Sequence, residues 1–121
     1  MDWWTNKRFR MIQNNLRDID ACMDIDKYVD TLKQFHANAC MVGCGGITAF
    51  YPTNLDCQKK SNYLRNDFFG MLLKKCHEND IRVIARFDFS KTNIEFLSGH
   101  PEWFSVSVEG NSVLFNDTAA T

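Results

Sequence analysis

Arg86 and Asp88 stand two residues apart in the run Arg82-Val83-Ile84-Ala85-Arg86-Phe87-Asp88-Phe89-Ser90-Lys91. If that run is a strand, alternation sends both side chains to one face. A guanidinium beside a carboxylate offers donors and acceptors to the same polar ligand. Gln13 and Asn15 repeat the spacing in Gln13-Asn14-Asn15-Leu16-Arg17-Asp18, and their amides, with Arg17 close by, suit a ligand rich in hydroxyl groups. The parity of that segment stays open, since Gln13 with Asn15, or Asn14 alone, can face inward. Loop capping by the Asn and Asp side chains is an equally good use of the same residues. Phe50 or Tyr51, adjacent aromatics ahead of Pro52, and Trp103, which follows Glu102, supply flat faces on which a ligand can stack. Packing onto the scaffold is the competing use of both.

These side chains need elements to hold them. The apolar start of 82–91 follows a helical pattern and has the character of a strand buried on both faces of a parallel sheet. Val83, Ala85, Phe87 and Phe89 then suit a helix layer, while Arg82, Ile84, Arg86, Asp88 and Ser90 form an opposite face that turns polar toward its C-terminal end. Ligands bind at that end in parallel α/β architectures. A first strand is expected over 9–13, and a short buried one over 39–42. Gly43-Cys44-Gly45-Gly46 then opens a loop whose glycines permit close backbone approach or positive φ, without the spacing of a phosphate-binding fingerprint.

The first helix starts at Asp24 or Asp26 and carries Ile25, Tyr28, Val29, Leu32 and Phe35 on one stripe. The second starts near Asn66 or Asp67 and carries Phe68, Phe69, Leu72, Leu73 and Cys76. Each closes on a similar turn, His36-Ala37-Asn38 and His77-Glu78-Asn79, in which histidine complements the helix dipole and asparagine takes the left-handed cap. Both histidines are therefore read as structural. Residues 47–66 show no clear periodicity, and a connection so much longer than the usual 2 to 6 or so residues points to a functional loop. A short helical piece over 93–98, then an alternating hairpin of 105–108 with 112–115 about Glu109-Gly110-Asn111, complete the reading. No closing element is expected over 116–121.

The chain has 121 residues, 45% of them hydrophobic and 24% charged, the composition of one folded unit spanning 1–121. It is too short for a complete (β/α)8 barrel. The net charge of −1 supplies no field for nucleic acid or an anionic membrane. Lys7, Arg8 and Arg10 are read as the solvated entrance to the first strand. The start, Met1-Asp2-Trp3-Trp4-Thr5-Asn6, lacks the apolar core of a signal peptide, and no apolar run matches a membrane span, so a cytoplasmic location is expected. The five cysteines have no paired or metal-ligating spacing and are expected to be reduced and buried. Neither a metal nor an organic cofactor is implied.

Gln13-Asn14-Asn15-Leu16-Arg17-Asp18-Ile19-Asp20, Gly45-Gly46-Ile47-Thr48-Ala49-Phe50-Tyr51-Pro52-Thr53, the run 82–91 and His100-Pro101-Glu102-Trp103 occur in this order. Together they resemble the N-terminal part of a glycoside hydrolase family grouped with the β-galactosidase-like and α-L-fucosidase-like (β/α)8 barrels. The resemblance implies an α/β fold forming the N-terminal portion of a TIM barrel, an incomplete barrel with three parallel strands, two main helices and a β-hairpin in the third βα loop. It also implies a carbohydrate substrate, bound by Gln13, Asn15, Arg86, Asp88, Tyr51 and Trp103, with the loop from Gly45 to Tyr51 as a wall. The catalytic carboxylates of such barrels sit at the ends of later strands, so the catalytic residues stay unassigned. Asp88 is the one acidic candidate here, better suited to holding a substrate hydroxyl, and Glu102 is assigned to capping its loop. The isolated piece is expected to be inactive. The rival readings are a self-contained α/β binding or interaction module that hides its open sheet edge by homo-oligomerisation, and a thiol enzyme built on Cys44.

Overall fold

The computed structural model describes Thr5, residues 8–115 and residues 118–121. Lys7 of the basic entrance, the start of the chain and the 116–117 pair lie outside the described residues. Strands β1 (Met11–Asn14), β2 (Ala39–Gly46) and β3 (Arg82–Asp88) form one parallel sheet in the order β1-β2-β3. Helices α1 (Ile25–Gln34) and α2 (Phe68–Glu78) make the two crossovers and pack against each other.

The helices begin where short acidic side chains meet orphan backbone amides. Asp24 accepts from the Lys27 amide at 3.0 Å, and Asp67 accepts from the Gly70 amide at 2.9 Å. Each Asp→Ala change should cost about 1 kcal/mol in urea unfolding at neutral pH. Both helices end in Schellman motifs with identical bonding. The Ala37 and Ile81 amides donate to the carbonyls of Leu32 and Cys76, and those of His36 and Asp80 donate to Lys33 and His77. The left-handed residues are His36 (φ 52°) and Asp80 (φ 57°), not the asparagines. Asn38 instead accepts from the Arg10 amide at 2.8 Å and donates to the Arg8 carbonyl at 2.7 Å. It thereby stitches β2 to the approach to β1.

Val29, Leu32, Cys40, Val42, Phe68, Leu72, Cys76 and Ile81 form the core between helices and sheet, with Ile12 and Val83 packed on it. Phe35 departs from the expected stripe. It caps α1, where the helical rotation ends, and is 67% exposed. Three cysteines are buried as expected (Cys40, Cys44, Cys76), whereas Cys22, at the end of the 3-10 turn Asp18–Cys22, and Cys57 are exposed. β3 is not covered on both faces. Ala85 is exposed and Phe87 44% exposed on one face, and only β2 pairs with β3 among the described residues.

β2 runs on through Gly46 where a loop was expected to open at Gly43. A bulge at Cys44 shifts the register, so that Gly43 pairs with Arg86, Gly45 with Phe87 and Gly46 with Asp88. Glycines hold the ladder here because a Cβ at Gly45 would lie 2.8 Å from the Phe87 ring. The long 47–66 segment is tied down at Ala49, which bridges to Lys60, and by Gln58, whose Nε2 donates to the Gly46 carbonyl at 2.8 Å. Phe50 is buried and meets Phe68 edge-on at 6.4 Å, a core role and not a stacking platform.

The third connection departs most from the sequence reading. Lys91 does not continue β3 but opens β4 (Lys91–Asn93), and the short helical piece expected over 93–98 is a single 3-10 turn at Ile94–Phe96. The hairpin is reduced to one antiparallel bridge, Val106 to Ser112. β5 (Leu114–Phe115) pairs with β6 (Thr118–Ala120), and β6 with β4, in a second sheet ordered β4-β6-β5. The end of the chain thus supplies the central strand of a small sheet, which a Thr-Ala-Ala stretch does not announce. No helix among the described residues is long and apolar enough to cross a membrane.

Candidate functional site

Parity at β1 is settled by Tyr28 of α1, whose hydroxyl donates to Asn14 Oδ1 at 2.8 Å. Asn14 therefore faces the helices, and Gln13 and Asn15 face the opposite side with Arg86 and Asp88. The sheet brings these four into one chain of hydrogen bonds. Gln13 Nε2 donates to Asn15 Oδ1 at 3.2 Å, and Arg86 Nη1 donates to the same oxygen at 3.0 Å. Arg86 Nη2 donates to Asp88 Oδ2 at 3.1 Å. The Ser90 hydroxyl and amide both donate to Asp88 Oδ1, at 2.6 and 3.0 Å.

Side chains from β1 and β3 meet because the strand between them contributes none. Gly43 pairs with Arg86 and has only ordinary contact with Leu16 above it. The result is a cleft of about 390 Å³ at the C-terminal end of the sheet. Asn15, Leu16 and Asp18 line one side, Arg86, Asp88 and Lys91 the other, and Ile47, Thr48 and Phe50 come from the β2 loop. Gln13 supports Asn15 but does not line the cleft. Arg17, one of the polar groups expected here, is turned away, its guanidinium 3.4 Å from Asp20.

Tyr51 and Trp103 do not join this cluster. They line a second cleft of about 460 Å³ with Phe87, Phe89 and Leu55, on the other side of the β3 end, and Lys91 borders both. Phe87 and Phe89 stack at 5.9 Å between centroids, and Trp103 lies flat on His100 at 3.6 Å. His100 Nδ1 is 3.2 Å from Glu102 Oε1, so Glu102 braces its own turn as expected. A further concavity of about 520 Å³ sits at the N-terminal end of the strands, among Arg8, Arg10, Lys33 and His36. There Arg10 Nε already donates to the His36 carbonyl.

Electrostatics fit Asp88 to accept hydrogen bonds rather than to donate a proton. The Ser90 hydroxyl and amide, and then the Arg86 guanidinium, hold its carboxyl below the usual carboxylate range. Because the folded value is depressed, the charged form stabilises the fold at neutral pH, and this contribution disappears as pH falls through the folded value. The stability gap between the protein and Asp88→Asn should therefore be present at pH 7 and close near pH 3 or below, read by urea melts at each pH. Cys44 does not suit a thiol enzyme. It is 5% exposed, and burial, with Asp67 nearby, pushes its thiol up to about 11, leaving it protonated at neutral pH.

The loop from Gly45 to Tyr51, expected as a wall, supplies Thr48; sequence reasoning left Asp18 and Lys91 unassigned, although both line the cleft. Each falls within a quoted motif, but neither lies within a strand of the parallel sheet, so alternation gave no signal for them.

The fold is similar to that of two solved enzyme structures. The chain resembles α-L-fucosidase isoenzyme 2 from Paenibacillus thiaminolyticus with a TM-score of 0.65 and 17% identity, covering 92% of this chain and 17% of that one. It resembles a noncanonic maltogenic α-amylase, AmyB from Thermotoga neapolitana, with a TM-score of 0.55 and 16% identity, covering 91% of this chain and 31% of that one. The chain thus spans less than a third of either enzyme, and at these identities the likeness is one of fold. No curated protein sequence matches significantly. A family model described as hypothetical glycosyl hydrolase 6 matches residues 24–120, four-fifths of the chain, from the start of α1 through β6, and the chain belongs to that family.

Proposed function

We propose that this chain forms the opening part of a (β/α)8 glycoside hydrolase and that its C-terminal cleft is one side of the sugar site. The observation that carries this reading is the Asn15–Arg86–Asp88 link across the glycines of β2, at the strand ends where such barrels bind ligand. Amide, guanidinium and carboxylate together match the mixed donors and acceptors of sugar hydroxyls. Family membership supports hydrolysis of glycosidic bonds, and the outer edges of β1 and β3, which have no strand partner among the described residues, support further strands on either side. Asp88, held ionised, orients hydroxyls and does not protonate a leaving group. The two carboxylates that cleave the bond, about 5 to 9.5 Å apart, come from later strands, so the 121-residue piece alone is inactive.

A screen of p-nitrophenyl glycosides, including α-L-fucoside and α-glucoside, tests this on the full-length protein and on this chain alone. Turnover by the full-length protein only is expected. Turnover by the isolated chain would overturn its incompleteness, and a full-length protein that neither cleaves nor binds any glycoside would overturn the hydrolase reading.

A further inference from the structure

The concavity of about 520 Å³ at the N-terminal end of the strands gathers positive charge that the fold does not use. Arg8 and Arg10 reach it from the approach to β1, and Lys33 and His36 from the end of α1. The backbone that carries the arginines is fixed. Asn38 accepts from the Arg10 amide at 2.8 Å and donates to the Arg8 carbonyl at 2.7 Å, and the Asn38 and Ala39 amides donate to the Arg10 carbonyl at 3.0 and 3.2 Å. Arg10 Nε donates to the His36 carbonyl at 2.8 Å. Its Nη1 and Nη2, and the whole Arg8 guanidinium, have no hydrogen-bond partner among the described residues. Neither arginine forms an ion pair among those residues, and Lys33 pairs only with Asp30, at 3.8 Å with both side chains more than half exposed.

Two terms oppose an anion here. Asp80 also lines the concavity, and α1 and α2 both end at it, each with about half a unit of negative charge at its C-terminus. The full charges of Arg8, Arg10 and Lys33, without counting His36, exceed these by about one unit. The floor, Ala37 and Ile81, is buried, and its backbone amides are already bonded in the two Schellman motifs, so the free donors are side chains. A singly charged ligand gains little from so small an excess in water. A doubly charged oxyanion with three or more acceptor oxygens can instead take a fork of N–H groups from each arginine, the bidentate pairing that suits a guanidinium.

We propose that this concavity is a binding site for a dianion of the phosphate class, held by Arg8 and Arg10 with Lys33 beside them. It lies at the opposite end of the sheet from the polar cleft. Its ligand is therefore not the substrate of that cleft, and the site stands or falls independently of the sugar-site reading.

Calorimetry on the full-length protein with inorganic phosphate and with glycerol 3-phosphate tests this, together with thermal melting with and without each anion. The parent should bind at least one of them, and its Tm should rise when it does. Arg8→Gln should weaken that binding about tenfold, and the double change Arg8→Gln with Arg10→Gln should abolish it. Lys74→Gln, the same charge change at an exposed position of α2 outside the concavity, should leave binding within about twofold of the parent. Because the Arg8 guanidinium makes no bond to the described fold, Arg8→Gln without anion should melt with the parent. Tighter binding of the ester supports a site for a phosphorylated ligand, and tighter binding of inorganic phosphate supports one for the free ion. If the arginines only offset the helix ends, Arg8→Gln lowers the Tm of the free protein and phosphate shifts parent and variant alike, which overturns the site. Absence of binding by the parent overturns it as well. Binding that is lost in Arg86→Ala but kept in Arg8→Gln would place the anion in the polar cleft and overturn the assignment to this end of the sheet.

Discussion

Gly46→Ala is expected to destabilise the chain by more than about 3 kcal/mol, enough to unfold much of a marginally stable unit. Gly46 has φ +103°, outside the region an alanine adopts readily, and a Cβ there would lie 1.9 Å from the carbonyl oxygen of Asp88 and 2.6 Å from its nitrogen. The obstruction is backbone, so no rotamer relieves it. β2 and β3 would have to part at the rung that positions Asp88, and the Gln58 bond to the Gly46 carbonyl would loosen as well. Gly110→Ala is the control. It too has positive φ, +82°, but nothing lies within 4 Å of its added carbon. Only the backbone term of roughly 1–2 kcal/mol applies there. Gly43→Ala, with its nearest contact at 3.7 Å, should be milder still. Urea melts that placed Gly46→Ala within 1 kcal/mol or so of Gly110→Ala would remove close strand approach as the reason for glycine at this position.

The parts of the fold legible in the sequence are those where a local pattern and a tertiary demand coincide. Tyr28, Val29 and Leu32 fall on a helical stripe because the same face meets the sheet, and Asp24 and Asp67 cap because short acids before an apolar turn have few better uses. Arg86 and Asp88 were recoverable from alternation alone, since β3 keeps strict parity to its end. Where tertiary contact decides against local preference, the sequence misleads. Gly43, Gly45 and Gly46 are poor strand formers, yet all three stay in the ladder, and at Gly45 and Gly46 the Phe87 ring and the Asp88 backbone leave no room for a side chain. Phe35 fits the stripe but stands at the cap, where the helix no longer holds it to the core. The aromatic half of the expected site lies in a separate cleft for the same kind of reason. Tyr51 and Trp103 face the Phe87 side of β3, and the bulge at Cys44 turns Gly45 to that side too. One strand end therefore divides two clefts that looked like one.

Arg86→Ala is expected to reduce kcat/KM of the full-length enzyme about 100-fold, near 2.7 kcal/mol of lost transition-state stabilisation. One guanidinium holds Asn15 with Nη1 and Asp88 with Nη2, so its removal frees a carboxylate and an amide from the geometry that the proposed sugar site requires of them. Arg86→Lys should rescue little, because a single ammonium does not reproduce the fixed fork. The cost to folding should be small, under about 1 kcal/mol, since the Arg86–Asp88 pair is about one-third exposed on each side and solvent screens it. A functional loss with little stability loss separates this residue from Gly46, where both fall together. The sign of the KM change tells how the group acts. If Arg86 binds the ground state and the transition state equally, KM rises and kcat holds; if it orients the ring for cleavage by carboxylates on other strands, kcat falls. A variant whose kcat/KM stays within threefold of the parent would remove Arg86, and with it the polar link across β2, from the sugar site.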